Sequence, residues 1–309
     1  MARPSETPGL LGGIDVGGSA LKLGVLARDG SRRAEHSLPV RAGAAAAEIL
    51  GGAARALREL APEGVAGVGV GLPGLLDREA GRVLHSPNLA WLEHAPVAEL
   101  LAPGLGLAPR SIRLENDANV AALGEQWLGA ARAERDLLLL TLGTGIGGGL
   151  ILGGALHAGP GGLAGEVGHV VIDPTGPPCG CGARGCLERF ASASAARQRA
   201  LARGLPAEAP GDLERLAERA RAAAGSERTL LEEIGYDLGR GLAAVQVLLD
   251  LRLFVFGGGF SAALDVLEPG IRRALREWVF GEREGSVRLV RATLGPSAGW
   301  IGAARLALG

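Results

Sequence analysis

The sequence predicts an α/β protein made of two similar α/β domains. Three observations carry the prediction. At 309 residues the chain has room for about two domains, each with a sizeable core. Strand-like apolar runs alternate with helical patterns along its whole length. A glycine-turned hairpin stands near the start of each half, at Gly17-Gly18 and again within Gly143–Gly149, which points to a duplicated unit.

The first half opens with strands at Leu10–Val16 and Leu21–Ala27, joined across Gly17-Gly18, and Ser37–Val40 adds a third. Ala44–Leu60 carries good helix formers at helical spacing, and Val65–Leu72 reads as a buried strand ending at the Pro73-Gly74 turn. A loop rich in Pro and Asn leads to a short helix near Val97–Leu101, then to the strand Ile112–Leu114 and the helical run Val120–Leu128. The second half repeats the theme with Leu137–Leu142 and Leu150–Leu152 around a glycine turn, then a strand at Val170–Ile172. Helices follow at Ser192–Arg203, Leu213–Ala224 and Thr229–Leu249. The strand Leu253–Phe256 stops at Gly257-Gly258-Gly259, and the chain closes with helix Ala262–Val279, strand Val287–Leu294 and helix Trp300–Leu308.

Composition narrows the function classes. A net charge of -1 gives no electrostatic reason to bind nucleic acid. The uncharged run Leu137–Leu156 has the length of a membrane span, yet seven of its residues are glycine, which costs too much entropy in a helix and favours short strands. No membrane segment is expected. The first thirteen residues lack the apolar core of a signal peptide, and cysteine is confined to one cluster, so a reducing cytoplasm is the expected compartment.

Asp15-Val-Gly17-Gly18-Ser19 follows a strand and turns into another. Its glycines let backbone amides approach an anion, Ser19 adds a hydroxyl, and Asp15 is placed to hold a divalent cation or its water shell; a plain hairpin turn has the same look. Gly143-Thr144-Gly145 is the matching turn of the second half, and two such turns can position and neutralise a triphosphate. Gly257-Gly258-Gly259 offers bare backbone for a base or ribose, or only tight strand and helix packing. Asn116-Asp117 ends a strand just before a helix, where one residue can be an N-cap and Asp117 can accept a hydroxyl proton while Asn116 orients a sugar.

All three cysteines, Cys179, Cys181 and Cys186, lie within eight residues, and His169 stands ten residues upstream of the first. Three thiolates and an imidazole complete the shell of a structural zinc and leave no open position for metal chemistry. A disulfide suits the cluster less, since Cys179 and Cys181 are too close in sequence and an odd count leaves one thiol over. Glu166 and Glu188 flank this loop. They are either solvated surface charges or carboxylates held rigidly to accept hydroxyl hydrogen bonds, with the second nitrogen of His169 beside them.

Seven segments in order give the chain a close resemblance to the ROK family of bacterial sugar kinases and sugar-responsive repressors, above all to its glucokinase branch. They are Gly13–Ser19, Gly71–Gly74, Glu115–Asn119, Leu142–Gly149, Ala164–His169, the cysteine loop to Glu188, and Gly257–Ser261. The resemblance implies an actin-like ATPase (ribonuclease-H-like) fold, with two α/β domains around an interdomain cleft. The division expected is 1–116 with 297–309, and 117–296 with the inserted zinc loop.

The resemblance further implies ATP, Mg2+ and a structural Zn2+ as cofactors and a homodimer or homotetramer as the assembly. Asp117 matches the family's catalytic base. Gly74, Asn88, Asn116, Asp117, Glu166, His169 and Glu188 match its sugar site. Asp15, Gly17, Gly18, Ser19, Gly143, Thr144, Gly145, Gly257, Gly258 and Gly259 match its nucleotide side. Ser19 replaces a more usual Thr and keeps the hydroxyl, and Gly153 replaces an Asp that often precedes a glycine turn. The repressor branch carries a helix-turn-helix domain before the first phosphate motif, where this sequence has a dozen residues, so the expected function is ATP-dependent phosphorylation of glucose at the 6-hydroxyl. The rivals are an N-acetylhexosamine or fructose kinase and a sugar sensor without catalysis.

Overall fold

A computed structural model of the protein describes residues 9–86, 89–280 and 284–308. Strands β1 (Leu11–Val16), β2 (Ala20–Leu26) and β3 (Arg32–Pro39) form an antiparallel meander, and helix α1 (Ala46–Leu60) leads into β4 (Gly67–Leu72), which lies parallel to β1. A small hairpin, β5 (Leu75–Asp77) and β6 (Arg82–His85), precedes α2 (Val97–Leu105). Strand β7 (Ile112–Asn116) then pairs parallel with β4 and passes directly into α3 (Asp117–Leu128). The sheet order is β3-β2-β1-β4-β7.

The second half builds the same order again. Strands β8 (Leu137–Leu142), β9 (Ile146–Leu152) and β10 (Ala155–Leu156) form the meander, and after the cysteine loop come α4 (Glu188–Ala191), α5 (Ala193–Leu201), α6 (Asp212–Ala222) and α7 (Ser226–Leu249). Strands β11 (Leu253–Gly257) and β12 (Arg288–Arg291), separated by α8 (Leu264–Trp278), extend the sheet in parallel to give β10-β9-β8-β11-β12. The last helix, α9 (Ala298–Leu306), returns to the first sheet. Two compact units result. The first runs to Ala133 and adds Ala158–Gly162 and the segment from Thr293; the second is Glu134–His157 with Leu163–Ala292. Helix α3, which lies beyond the 116/117 boundary expected from the sequence, falls in the first unit.

Each unit has its own core. In the second, Leu138, Leu140, Phe254 and Phe256 of the sheet are buried with Leu238 of α7 and Leu267 of α8. In the first, Ile14, Leu23, Val68 and Val70 meet Leu50, Leu57 and Leu101 on one face of the sheet. Glycine recurs on the opposite face, at Gly13, Gly24 and Gly69. A Cβ on Gly13 would lie 1.8 Å from the carbonyl oxygen of Trp300, and one on Gly69 would lie 1.8 Å from that of Ala303. The glycines let the backbone of α9 settle onto the strands, and Trp300 fills the space over Gly24. Period two then puts Asp15 on the same face as Gly13, under the first turn of α9.

The structure departs from the sequence reading in several places. Gly147–Gly149 are not part of a turn but lie inside β9, opposite Thr141, Leu140 and Leu139. A Cβ on Gly148 would sit 2.1 Å from the carbonyl oxygen of Gly165, so the missing side chain serves a close backbone approach. Val170–Ile172 forms no strand and contributes only an isolated bridge between Val171 and Cys186. The third strand starts at Arg32 rather than Ser37, the last strand is confined to Arg288–Arg291, and β5, β6 and α4 were not foreseen. Among the described residues no helix is long and apolar enough to cross a membrane, and Leu137–Leu156 folds as strands.

Candidate active site

In the first unit the candidate residues gather at the carboxyl ends of β1, β4 and β7. Asn116 has extended backbone and caps α3: its Oδ1 accepts from the amides of Ala118 at 2.9 Å and Asn119 at 3.4 Å. Asp117 is the first helical residue, with an exposed side chain and Oδ1 2.9 Å from the Ala118 amide. The capping role thus falls mainly to Asn116. Gly74 ends the turn after β4 with φ of 104°, and a Cβ there would meet the carbonyl oxygen of His85 at 2.2 Å, so only glycine fits. Asn88 lies outside the described residues.

Gly17 donates to the carbonyl of Ala20 at 3.1 Å and closes the β1–β2 turn, leaving Ser19 exposed at its tip. Asp15 is packed against Gly299, where a Cβ would come within 2.4 Å of its carboxyl carbon. Burial, followed by the negative charge of Asp117, pushes the Asp15 carboxyl up to about 6, and Lys22 opposes the shift. A carboxylate held at this cost is suited to a cation.

In the second unit the β8–β9 turn is held by the Gly143 amide donating to the Gly145 carbonyl at 3.0 Å, and by the Ala193 amide donating to the Gly143 carbonyl at 2.9 Å. Thr144 is exposed at the tip. Gly258 has φ of 80°, and a Cβ on it would strike the carbonyl oxygen of Leu142 at 2.4 Å, whereas Gly259 faces open space. Gly143, Thr144 and Gly259 share one cavity of about 420 Å³, lined also by Arg197, Arg221 and Phe260. Gly257 and Gly258 shape the turn beneath it. Arg221 is fixed by both carboxylate oxygens of Asp265, at 2.6 and 2.7 Å.

The ligand atoms of His169, Cys179, Cys181 and Cys186 all lie within 4.8 Å of one another. Zinc bonds of about 2.3 Å to sulfur and about 2.0 Å to nitrogen set tetrahedral S···S edges near roughly 3.8 Å and S···N edges near roughly 3.5 Å. The Cys181 to Cys186 sulfur distance is 3.6 Å, and Cys179 Sγ is 3.7 Å from His169 Nδ1, so the group fits the metal. The cysteines are not disulfide-bonded. His169 turns Nδ1 toward the thiols, which leaves Nε2 for another partner.

The cluster is tied to Glu188. Cys179 Sγ lies 3.1 Å from Glu188 Oε1, and Glu188 opens α4 two residues after Cys186. A Cβ on Gly145 would come 2.7 Å from Glu188 Oε2, so the phosphate-type turn rests directly on this carboxylate. Burial raises the Glu166 carboxyl, with Glu188 adding to the shift and His169 opposing it. The second unit therefore brings together Glu166, His169, Glu188, the cysteines and the Gly143–Gly145 turn.

Glu115 and Asn119 bound one of the seven segments without an assigned role, and nothing in the sequence singles out Arg78. Glu115 is buried on β7, accepts from the Asn116 amide at 2.8 Å and from Asn119 Nδ2 at 2.9 Å, and is gripped by Arg78 from the β5–β6 turn. Glu115 stands in a strand of mixed polarity, Ile112-Arg113-Leu114-Glu115-Asn116, so its local sequence does not mark it; burial is what requires it to have partners.

A family model described as ROK family matches residues 11–309. The chain is 33% identical over 307 residues to a glucokinase from Thermotoga maritima, with 95% of this chain and 96% of that one covered. It is 33% identical over 303 residues to an N-acetylmannosamine kinase from Escherichia coli, covering 96% and 97%. The crystal structure of a ROK family glucokinase from Streptomyces griseus in complex with glucose and AMPPNP matches at a TM-score of 0.75 and 34% identity, over 96% of this chain and 99% of that one. With a family match across nearly its whole length, the chain belongs to the ROK family and has its actin-like ATPase fold.

Proposed function

We propose that the protein is an ATP-dependent sugar kinase that phosphorylates glucose at the 6-hydroxyl with Asp117 as general base. The observation that carries the reading is the strand end of β7, where Asn116 caps α3 and Asp117 projects an exposed carboxylate from the first helical position. Asn116, Glu166, Glu188 and His169 Nε2 supply the donors and acceptors that sugar hydroxyls require. Asp117 takes the hydroxyl proton as the oxygen attacks the γ-phosphorus, and the leaving diphosphate departs in line. Gly17 and Gly143 brace the two turns through their own amide bonds, the tip residues Gly18, Ser19, Thr144 and Gly145 receive phosphate oxygens, and the cavity beside Gly259 and Phe260 takes the nucleoside. Asp15 is the residue that would hold Mg2+, which when bound neutralises charge on the phosphates. Zinc on His169 and the three cysteines would have a structural role.

The match to an N-acetylmannosamine kinase, equal in identity to that with the glucokinase, supports an N-acetylhexosamine as the second reading. ADP release across a panel of hexoses and N-acetylhexosamines separates the two. Asp117→Asn keeps the shape of the site while removing the base, so kcat is expected to fall by about 10²–10⁴ with glucose affinity by calorimetry little changed. Turnover within tenfold of wild type would place the base elsewhere, and sugar binding without ADP release from any sugar would make the protein a sensor.

A further inference from the structure

We propose that Arg78 and Glu115 act as a positioning pair that holds the strand-to-helix junction carrying Asn116 and Asp117 in its reactive register; the inference rests on Asp117 being the base. The junction needs a constraint, because Asp117 is exposed and the β7 backbone ends at Asn116. Glu115 supplies it. Its Oε1 accepts from the backbone amide of Asn116 at 2.8 Å, from the side chain of Asn119 in the first turn of α3 at 2.9 Å, and from Arg78 Nη2. Its Oε2 accepts from Arg78 Nε at 2.8 Å. One carboxylate thus joins the last residue of the strand, the first turn of the helix and the β5–β6 turn.

The arginine is the charged partner that this buried carboxylate meets. Glu115 is 5% exposed, and removing one partner of a buried ion pair leaves the other uncompensated, which loosens the junction. The guanidinium fork meets both oxygens at once and so sets the carboxylate plane, which a point charge cannot do. Arg78 has a second neighbour. A Cβ on Gly162, at φ of 73°, would lie 2.3 Å from Arg78 Nη1, so the Gly162 backbone rests against the same guanidinium. Four residues further along the chain stands Glu166. A displacement on the order of 1 Å at a reacting group costs about 10²-fold in rate, so a loss of 10- to 100-fold in kcat is the effect expected from loosening the junction.

A cavity of about 500 Å³, lined by Arg78, Glu115, Arg113 and Arg110, opens beside the pair and gives a route for chemical rescue. Steady-state kinetics on the full-length protein would compare wild type, Arg78→Lys, Arg78→Ala and Asp117→Asn, each checked for folding by circular dichroism. Arg78→Lys keeps the charge and the fold, and is expected to lower kcat about tenfold with sugar KM changed less than threefold. Arg78→Ala is expected to lose 10- to 100-fold in kcat, with at least fivefold recovered by millimolar guanidinium but not by methylammonium. A wild-type kcat in Arg78→Lys beside an inactive Asp117→Asn overturns the positioning role alone. Equal falls in kcat for both Arg78 variants that track lost folded protein, with no guanidinium rescue, also overturn it. Turnover of Asp117→Asn within tenfold of wild type removes the base and overturns both readings.

Discussion

Asp15 shows how a single residue trades stability for a site. Burial pushes its carboxyl from the ordinary 3.8 up to about 6 in the folded chain, so the folded state holds the proton more tightly than the unfolded one. Ionising it therefore costs stability: the cost is absent below about pH 4, grows as pH rises, and is complete above about pH 6. Asp15→Asn removes a charge buried beside Asp117 and is expected to stabilise the metal-free protein by about 1–3 kcal/mol at pH 7.5, with the gain shrinking toward pH 4. Urea unfolding at several pH values checks the trend, and turnover with Mg2+ and ATP should fall in the same variant. A uniform effect across pH would mean the carboxyl is not perturbed. Asp15 was legible because a carboxylate near the end of an apolar strand stands out, and Asp117 because it and Asn116 form a polar pair where a strand gives way to a helix. Arg78 was not, because its partner Glu115 lies 37 residues away and no local pattern marks the pair.

The cysteine loop was the most legible element, since metal spacing is written into consecutive residues, yet its use was not. The contacts of Glu188 with Cys179 and with Gly145 depend on the fold of the loop, and no spacing rule reports them. The same holds for Gly147–Gly149: composition suggested a turn, whereas the strand is kept by the approach of Gly165, a contact between segments distant in sequence. The metal's expected effect follows from these contacts. Burial pushes the Cys179 thiol up to about 12, so the metal must displace its proton, and binding is coupled to ordering of the loop. Cys186→Ser should retain less than half an equivalent of zinc by elemental analysis. Glucose affinity by calorimetry should fall at least tenfold, because Glu188 loses its fixed neighbours. Full affinity in that variant would separate the metal from the sugar site.

At the scale of the whole molecule, the same strand order occurs twice with different fillings. The first unit stacks α9 on a glycine-lined sheet face, and the second buries Leu and Phe between its sheet and α7 and α8. The duplication was readable from two glycine turns, but the glycine face was not, since alternation with glycine resembles loop composition until a helix is seen to need the room. Because α9 follows the second unit in the chain, the first unit is completed only by its last helix. Separate cores predict separate local stabilities. Trp300→Ala removes the indole over Gly24 and is expected to cost about 3–5 kcal/mol in the first unit. Hydrogen exchange read by mass spectrometry should then show protection lost in peptides from β1, β2 and β4 and retained in those from β8, β11 and α7. Zinc chelation should reverse the pattern, loosening the cysteine loop and α4 while β1 and β4 keep their protection. Uniform loss across all peptides under both treatments would mean that the two units unfold as one cooperative body.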